Sequence, residues 1–300
     1  MTKATQVVAY LLAAFLSGCV FCATFGPAMA GQAAVSPAAA DAPNKPRGRA
    51  YLFRGFAGMV FSRGTDKLAE RIVQAGFTAT VNEALMCSTI ATEAIRDYRR
   101  DPAPIILIGH SVGGACALSF AEAFQDEHIP VSLVVTTEPA RISHDVPPNV
   151  ERYINICQSD SLLGGHDVVP AQGFQGHYAS VDLAKHREIT HVNMEKAGSI
   201  QDQVLSKVLE LAAPVESDPV PIHYVVPVDA AIELWDSGLP VIARPGDTLQ
   251  TLAALYRVPL WSLTQINAMP DDTPLAPGRR VIVPRHIVVP AAPNEARFRH

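Results

Sequence analysis

PIILIGHSVGGACALSFAEAFQ, residues 104–125, joins an apolar run to a helical pattern through a serine set between glycines. Ile105, Ile106, Leu107 and Ile108 form the unbroken apolar pattern of a strand covered on both faces. Beyond Gly113, small and apolar residues recur at helical spacing. Ser111 therefore stands on a strand-to-helix turn, with Gly109 and Gly113 two positions to either side. A turn that sharp leaves no room for side chains at those positions, so the glycines keep the serine accessible. The helix that follows points its N-terminal dipole at the turn. The N–H of Val112 is placed to stabilise a developing oxyanion. Gly-x-Ser-x-Gly alone is a weak signal, and the strand before it and the helix after it give it meaning. The bland alternative is a glycine-rich turn whose serine caps the helix.

The same alternation runs outward in both directions. YLFRGF precedes TDKLAERIVQAG, FTATVNE precedes CSTIATEAIRDYRR, and PVSLVVTTE precedes RYINICQ. A last helix is expected in EKAGSIQDQVLSKVLELAA, with Ile200, Val204 and Val208 on one face. The expected fold class is α/β, a parallel sheet with helices on both faces over residues 50–212. Residues 213–240 hold several prolines and read as a linker. Residues 241–285 then give a small strand-helix-helix-strand (βααβ) module, VIAR and RVIVP enclosing TLQTLAALYR and PLWSLTQIN. Residues 286–300 read as a frayed tail.

Lys3, the apolar stretch Val7–Phe25 and the small residues Ala28 and Ala30 have the anatomy of a secretory signal over residues 1–30. Leu16-Ser17-Gly18-Cys19 also fits a lipid-attachment box on Cys19, and the stretch is long enough for an uncleaved anchor. An Ala/Pro-rich tether follows over 31–49. The expected location is the periplasm or cell envelope, with a membrane engaged only through that N-terminal segment. Net charge is −5 without a Lys/Arg cluster, which argues against a nucleic-acid partner. Past the leader, Cys87, Cys116 and Cys157 leave an odd thiol, so no disulfide scaffold is expected, and Cys116 and Cys157 read as buried small hydrophobes. No His/Cys spacing suits a metal, and no cofactor is expected.

A serine needs a base to become a nucleophile. His191, in REITHVNMEK before the last helix, is best placed, with Asn193 as that helix's cap. His186 is next, and His144, His166 and His177 read as solvated loop histidines. For the acid that orients the base, Glu138 and Asp160 both follow predicted strands on the edge that carries Ser111. Glu138 is preferred and Asp160 stays open, while Asp145 and Asp167 read as solvated. A second oxyanion donor would be the N–H of Phe56 or Ala57 in GFAG, or that stretch is a plain turn.

With Gly109-His110-Ser111-Val112-Gly113 after a strand, the domain resembles the α/β-hydrolase superfamily, in particular its lipase, esterase and thioesterase branch. The resemblance implies a Ser-acid-His triad and acyl transfer through an acyl-enzyme. The superfamily's usual acid is Asp, which keeps Asp160 in play. The short spacing from Ser111 to His191 leaves no room for a large cap. The module at 241–285 resembles a lysin-motif (LysM) domain, on Pro245-Gly246-Asp247-Thr248-Leu249, Ala253, Tyr256, Ile266-Asn267 and Leu275-x-x-Gly278. That resemblance implies binding of peptidoglycan or another N-acetylglucosamine-containing glycan between Gly246, Asp247 and Thr248 on one side and Asn267, Ala268 and Met269 on the other. The expectation is an exported serine hydrolase of esters or thioesters, held at the cell wall. The alternatives are a non-catalytic wall-binding protein on a hydrolase scaffold, and an esterase acting on the wall itself.

Overall fold

The computed structural model describes residues 45–56, 63–165, 167–212 and 218–285. The described residues from Lys45 onward form one compact unit. The readings placed on residues 1–44, including Cys19, and on 286–300, Ala57 and His166 lie outside the described residues. Among the described residues no helix is long and apolar enough to cross a membrane.

Seven parallel strands form the main sheet in the order β2-β1-β3-β4-β5-β6-β7. They are β1 (Arg49–Arg54), β2 (Thr78–Glu83), β3 (Ile105–His110), β4 (Leu133–Thr137), β5 (Arg152–Cys157), β6 (His177–Asp182) and β7 (Ile222–Val225). The helices of this domain are α1 (Arg63–Gln74), α2 (Cys87–Arg100), α3 (Val112–Asp126) and α4 (Gly198–Leu209). Strand side chains alternate between faces. Leu52, Ile106, Ile108, Val135 and Ile154 therefore pack with α1 and α4 in one core. Tyr51, Phe53, Ile105, Leu107 and Tyr153 pack with α2 and α3 in the other.

Three local readings change. The strand HYASVD (β6) has no apolar run to announce it, yet its residues are largely buried, and His177 at its start is 1% exposed. His177 is therefore not a solvated loop histidine, and His186, the second candidate base, is buried with its ring bonded to Glu188 Oε1 and Pro227 O. Cys116 is bonded to Cys87 with their Cα atoms 5.7 Å apart, which closes a 29-residue separation between α2 and α3. A loop of that length gains about 3–4 kcal/mol from closure in the chain-entropy account. Cys157 is the free, buried thiol. The last helix is capped by Ala197, not Asn193, whose side chain serves the preceding loop instead.

The presumed linker is also structured. Pro219, Pro221 and Pro227 flank β7, where an edge strand tolerates them, and Ile222 and Tyr224 point into the core. The second module follows with β8 (Ser237–Ile242), α5 (Leu249–Tyr256), α6 (Leu260–Asn267) and β9 (Arg280–Arg285), β8 and β9 pairing antiparallel. This module lies along the open edge of β7. The side-chain amide of Gln265 takes the place of a further strand: its Nε2 donates to Val225 O (2.9 Å), and Val225 N–H donates to its Oε1 (3.0 Å). Trp235 packs between Tyr224 (4.5 Å between centroids) and Trp261 (5.6 Å). At the other end of the seam Asp236, fully buried, lies within 3.7 Å of Arg152 and 3.5 Å of Arg285. The Arg285 guanidinium also donates to His177 Nδ1 at 2.9 Å.

A shared apolar seam of this kind makes the two modules one folding unit. Trp235→Ala should cost about 3–5 kcal/mol and lower one common denaturation transition, read in parallel by calorimetry and circular dichroism. Two well-separated transitions in the unsubstituted protein would contradict that coupling.

Candidate active site

Ser111 leaves β3 with φ 54° and ψ −121°, a left-handed conformation that a non-glycine residue holds only when its surroundings compel it. The compulsion is visible on both sides. A Cβ on Gly109 would lie 2.1 Å from Gly113 O, and one on Gly113 would lie 2.2 Å from Phe53 O. Ser111 N–H donates to Thr137 O (3.0 Å), and Ser111 O accepts from Ala140 N–H (3.0 Å), so β4 and its exit loop brace the turn. No side-chain capping bond ties Ser111 to α3, which disfavours the reading of a mere cap. Val112 opens α3, where an N–H has no intrahelical acceptor.

Glu138 follows β4, also at positive φ (49°), and its side chain is fully buried. Its Oε1 accepts from Gln158 N–H, and its Oε2 lies 3.2 Å from His191 Nδ1. Gly164 and Gly165 close over it. A Cβ on Gly165 would sit 2.9 Å from the Glu138 carboxylate and 2.2 Å from Gln158 O. Asp160 is elsewhere, paired with Arg187 at the surface. The geometry thus brings Glu138, and not Asp160, to His191. Among the described residues no hydrogen bond joins His191 to the Ser111 hydroxyl; such contacts often tighten only around substrate.

The loop carrying His191 has no regular structure and is held by side chains. Gln158 Nε2 donates to the carbonyls of Leu183 (3.3 Å), His186 (3.3 Å) and Ile189 (2.6 Å). Asn193 accepts from Thr190 N–H (2.7 Å) and donates to Glu188 O (2.9 Å). His110, immediately before Ser111, donates from Nε2 to His191 O at 2.8 Å. Burial, and next the charge on His191, pull its pKa down to about 4, so the His110 ring stays neutral. Sequence reasoning missed Gln158, His110 and Gly165, whose parts in the site depend on contacts far along the chain. On the oxyanion side, Gly55 abuts Ser111 (a Cβ there would lie 3.3 Å from Ser111 Cβ), and Phe56 projects into solvent.

In the second module the residues expected to face a glycan divide. Asn267 is committed to the fold: it donates to Leu263 O and Ile282 O and accepts from Ile282 N–H. Thr248 caps α5 in a reciprocal box with Thr251, and Asp247 accepts from Arg244 N–H. Met269 is buried in the module core. Gly246 is open, with nothing near its Cα on the side a Cβ would occupy. Ala268 and Met269 border a concavity of about 750 Å³ along α6, together with Trp261 and Gln265. Gly246, Asp247 and Thr248 do not line it.

Residues 241–284 match the LysM domain family. No curated protein matches the chain. Among solved structures it is similar to a hydrolase of the α/β superfamily from Xanthomonas campestris pv. campestris, at 14% identity and TM-score 0.35, covering 55% of this chain and 98% of that one. It is similar to the thioesterase of the prodiginine biosynthetic pathway in Streptomyces coelicolor at 12% identity and TM-score 0.37, covering 59% and 96%. A third is an esterase domain from Rhodothermus marinus, at 16% identity and TM-score 0.32, covering 42% and 69%.

Two buried histidines make stability sensitive to acid. Burial lowers His110 and His177 from 6.5 to about 4. Between those values the unfolded chain binds protons that the folded chain refuses. Stability from these rings is therefore complete above 6.5 and is lost as pH falls toward 4. Urea unfolding at about pH 7.5 and about pH 4.5 should show a clearly lower midpoint in acid; an equal or higher midpoint would contradict the neutral assignment.

Proposed function

We propose that the protein is an exported serine hydrolase of carboxylic esters or thioesters, held at the cell wall by its LysM module. The observation that carries the hydrolase reading is the Glu138–His191 pair set beside a serine at positive φ. Ser111 Oγ attacks the acyl carbonyl while His191 Nε2 takes its proton. Glu138, at His191 Nδ1, fixes the tautomer and stabilises the imidazolium that forms. The oxyanion is held by Val112 N–H and an N–H of Phe56 or Ala57. Collapse passes the proton to the leaving alcohol or thiol and leaves an acyl-enzyme, which water then cleaves with His191 as base. No metal or cofactor enters these steps.

Export is supported by the apolar leader and by the Cys87–Cys116 bond, which persists in oxidising compartments. Binding of an N-acetylglucosamine-containing glycan is supported by the LysM match, with Gly246 and Ala268 the open positions of the expected set.

A fluorophosphonate probe should label the wild-type protein and not Ser111→Ala; equal labelling would remove Ser111 as nucleophile and leave a non-catalytic scaffold. Glu138→Gln should lower kcat on p-nitrophenyl esters by roughly a thousandfold or more, and His191→Ala should abolish turnover. Asp160→Asn, at an exposed ion pair, should stay within about twofold of wild type. The protein should also cosediment with isolated sacculi and be released by N-acetylglucosamine oligomers; acetate release from the sacculi would instead make the wall its substrate.

A further inference from the structure

Singly exposed apolar side chains are ordinary, but a group of them is not. Among the described residues four large apolar side chains are more than 70% exposed: Phe56 (85%), Leu85 (97%), Ile142 (75%) and Leu162 (93%). They follow β1, β2, β4 and β5 respectively. Because the strands of the main sheet are parallel, the loops leaving their C-terminal ends gather on one edge. That edge carries Ser111 at the end of β3, between the strands that supply Phe56 and Leu85 on one side and Ile142 and Leu162 on the other. Leu163, and Val192 beside His191, add exposed apolar side chains to the same edge.

We propose that this rim docks the protein on a lipid surface and that the site takes its acyl ester from the lipid phase. The proposal rests on the reading of Ser111 as nucleophile. The choice of lipid over protein follows from how the side chains are carried. They project from separate loops strung along one sheet edge, on both sides of Ser111. A folded partner needs a contiguous, shape-matched surface of about 1,200 Å² or more, and one seated along this edge would cover the nucleophile. Hydrocarbon requires only that each side chain project, and each one contributes independently. A lipid phase also delivers substrate at the edge it touches.

The charges on the rim suit a headgroup layer. Arg141 stands beside Ile142, and the Arg187–Asp160 pair belongs to the loops flanking Leu162. Asp160 is paired with Arg187 and Glu188 with His186. That leaves exposed Arg141 and Lys185 with no carboxylate partner among the described residues. Long basic side chains beside inserted apolar ones reach lipid phosphates while their stems stay in the apolar layer.

The test uses the chain from Gly31 onward, which omits the apolar leader and retains every described residue of the compact unit. Flotation is measured with phosphatidylcholine vesicles, using Ser111→Ala so that nothing is hydrolysed. The variant carrying Leu85→Ser, Ile142→Ser and Leu162→Ser should partition roughly a thousandfold less, at about tenfold per side chain. In the active background the same three substitutions should leave fluorophosphonate labelling and turnover of a soluble short-chain ester within about twofold of wild type, while turnover of an ester embedded in vesicles falls. Absence of flotation by the parent chain, or equal flotation by the variant, would overturn the proposal. So would sedimentation showing that the parent is a dimer and the variant a monomer, which would give the rim to a second copy. Failure of the soluble-ester and probe assays in the parent chain would instead strike the nucleophile reading, and flotation is read separately from it.

Discussion

The Glu138 carboxylate is the point around which the rest of the site is arranged. Burying it completely is costly unless its oxygens are matched, and an unmatched buried charge costs several kcal/mol. It is matched by Gln158 N–H on one oxygen and His191 Nδ1 beside the other. Its left-handed backbone adds about 1–2 kcal/mol of strain. That strain turns the chain back at the end of β4, with Glu138 N–H still bonded to Ile156 O of the neighbouring strand. Everything near it follows from these requirements, down to the bare backbone of Gly164 and Gly165 against its carbonyl and carboxylate.

Gln158 links that acid to the base. Its backbone N–H holds Glu138 and its side-chain amide holds three carbonyls of the loop that ends in His191. One residue at the end of β5 thus sets the acid and the approach of the base together. His110 does the complementary work from β3, joining the residue before the nucleophile to the carbonyl of His191. A loop without regular structure can be precise when its carbonyls are met by buried side-chain donors.

How much of this could be read from the chain depended on how local each cause was. Ser111 was legible because strand, glycines and helix lie within about twenty consecutive residues. Glu138 was legible as a carboxylate at a strand end, but its advantage over Asp160 appears only once Arg187 is seen to hold Asp160 and Gln158 to hold Glu138. β6 was missed because its sequence mixes His, Tyr, Ser and Asp with apolar residues, and neighbours and buried hydrogen bonds do the work of hydrophobicity there. The prolines of 213–240 suggested a linker, although Pro219, Pro221 and Pro227 bracket β7 and Pro240 lies within β8. The Cys87–Cys116 bond left no mark in spacing, since it joins two helices side by side.

That structured segment changes what the LysM module would do for the enzyme proposed here. On a flexible linker the module would set only an effective concentration, and the catalytic edge would sample many orientations. Here α6 is bonded to the last residue of β7 through Gln265, and β9 is anchored at the starts of β5 and β6 through Arg285, Asp236, Arg152 and His177. Two attachments at opposite ends of the strand direction remove the hinge. On the proposed function, a glycan held by the module would fix the direction in which the edge bearing Ser111 faces. Substrates presented at that bearing would be reached without search, and those lying in other directions would be excluded by geometry, with no contribution from the chemistry of the acyl group.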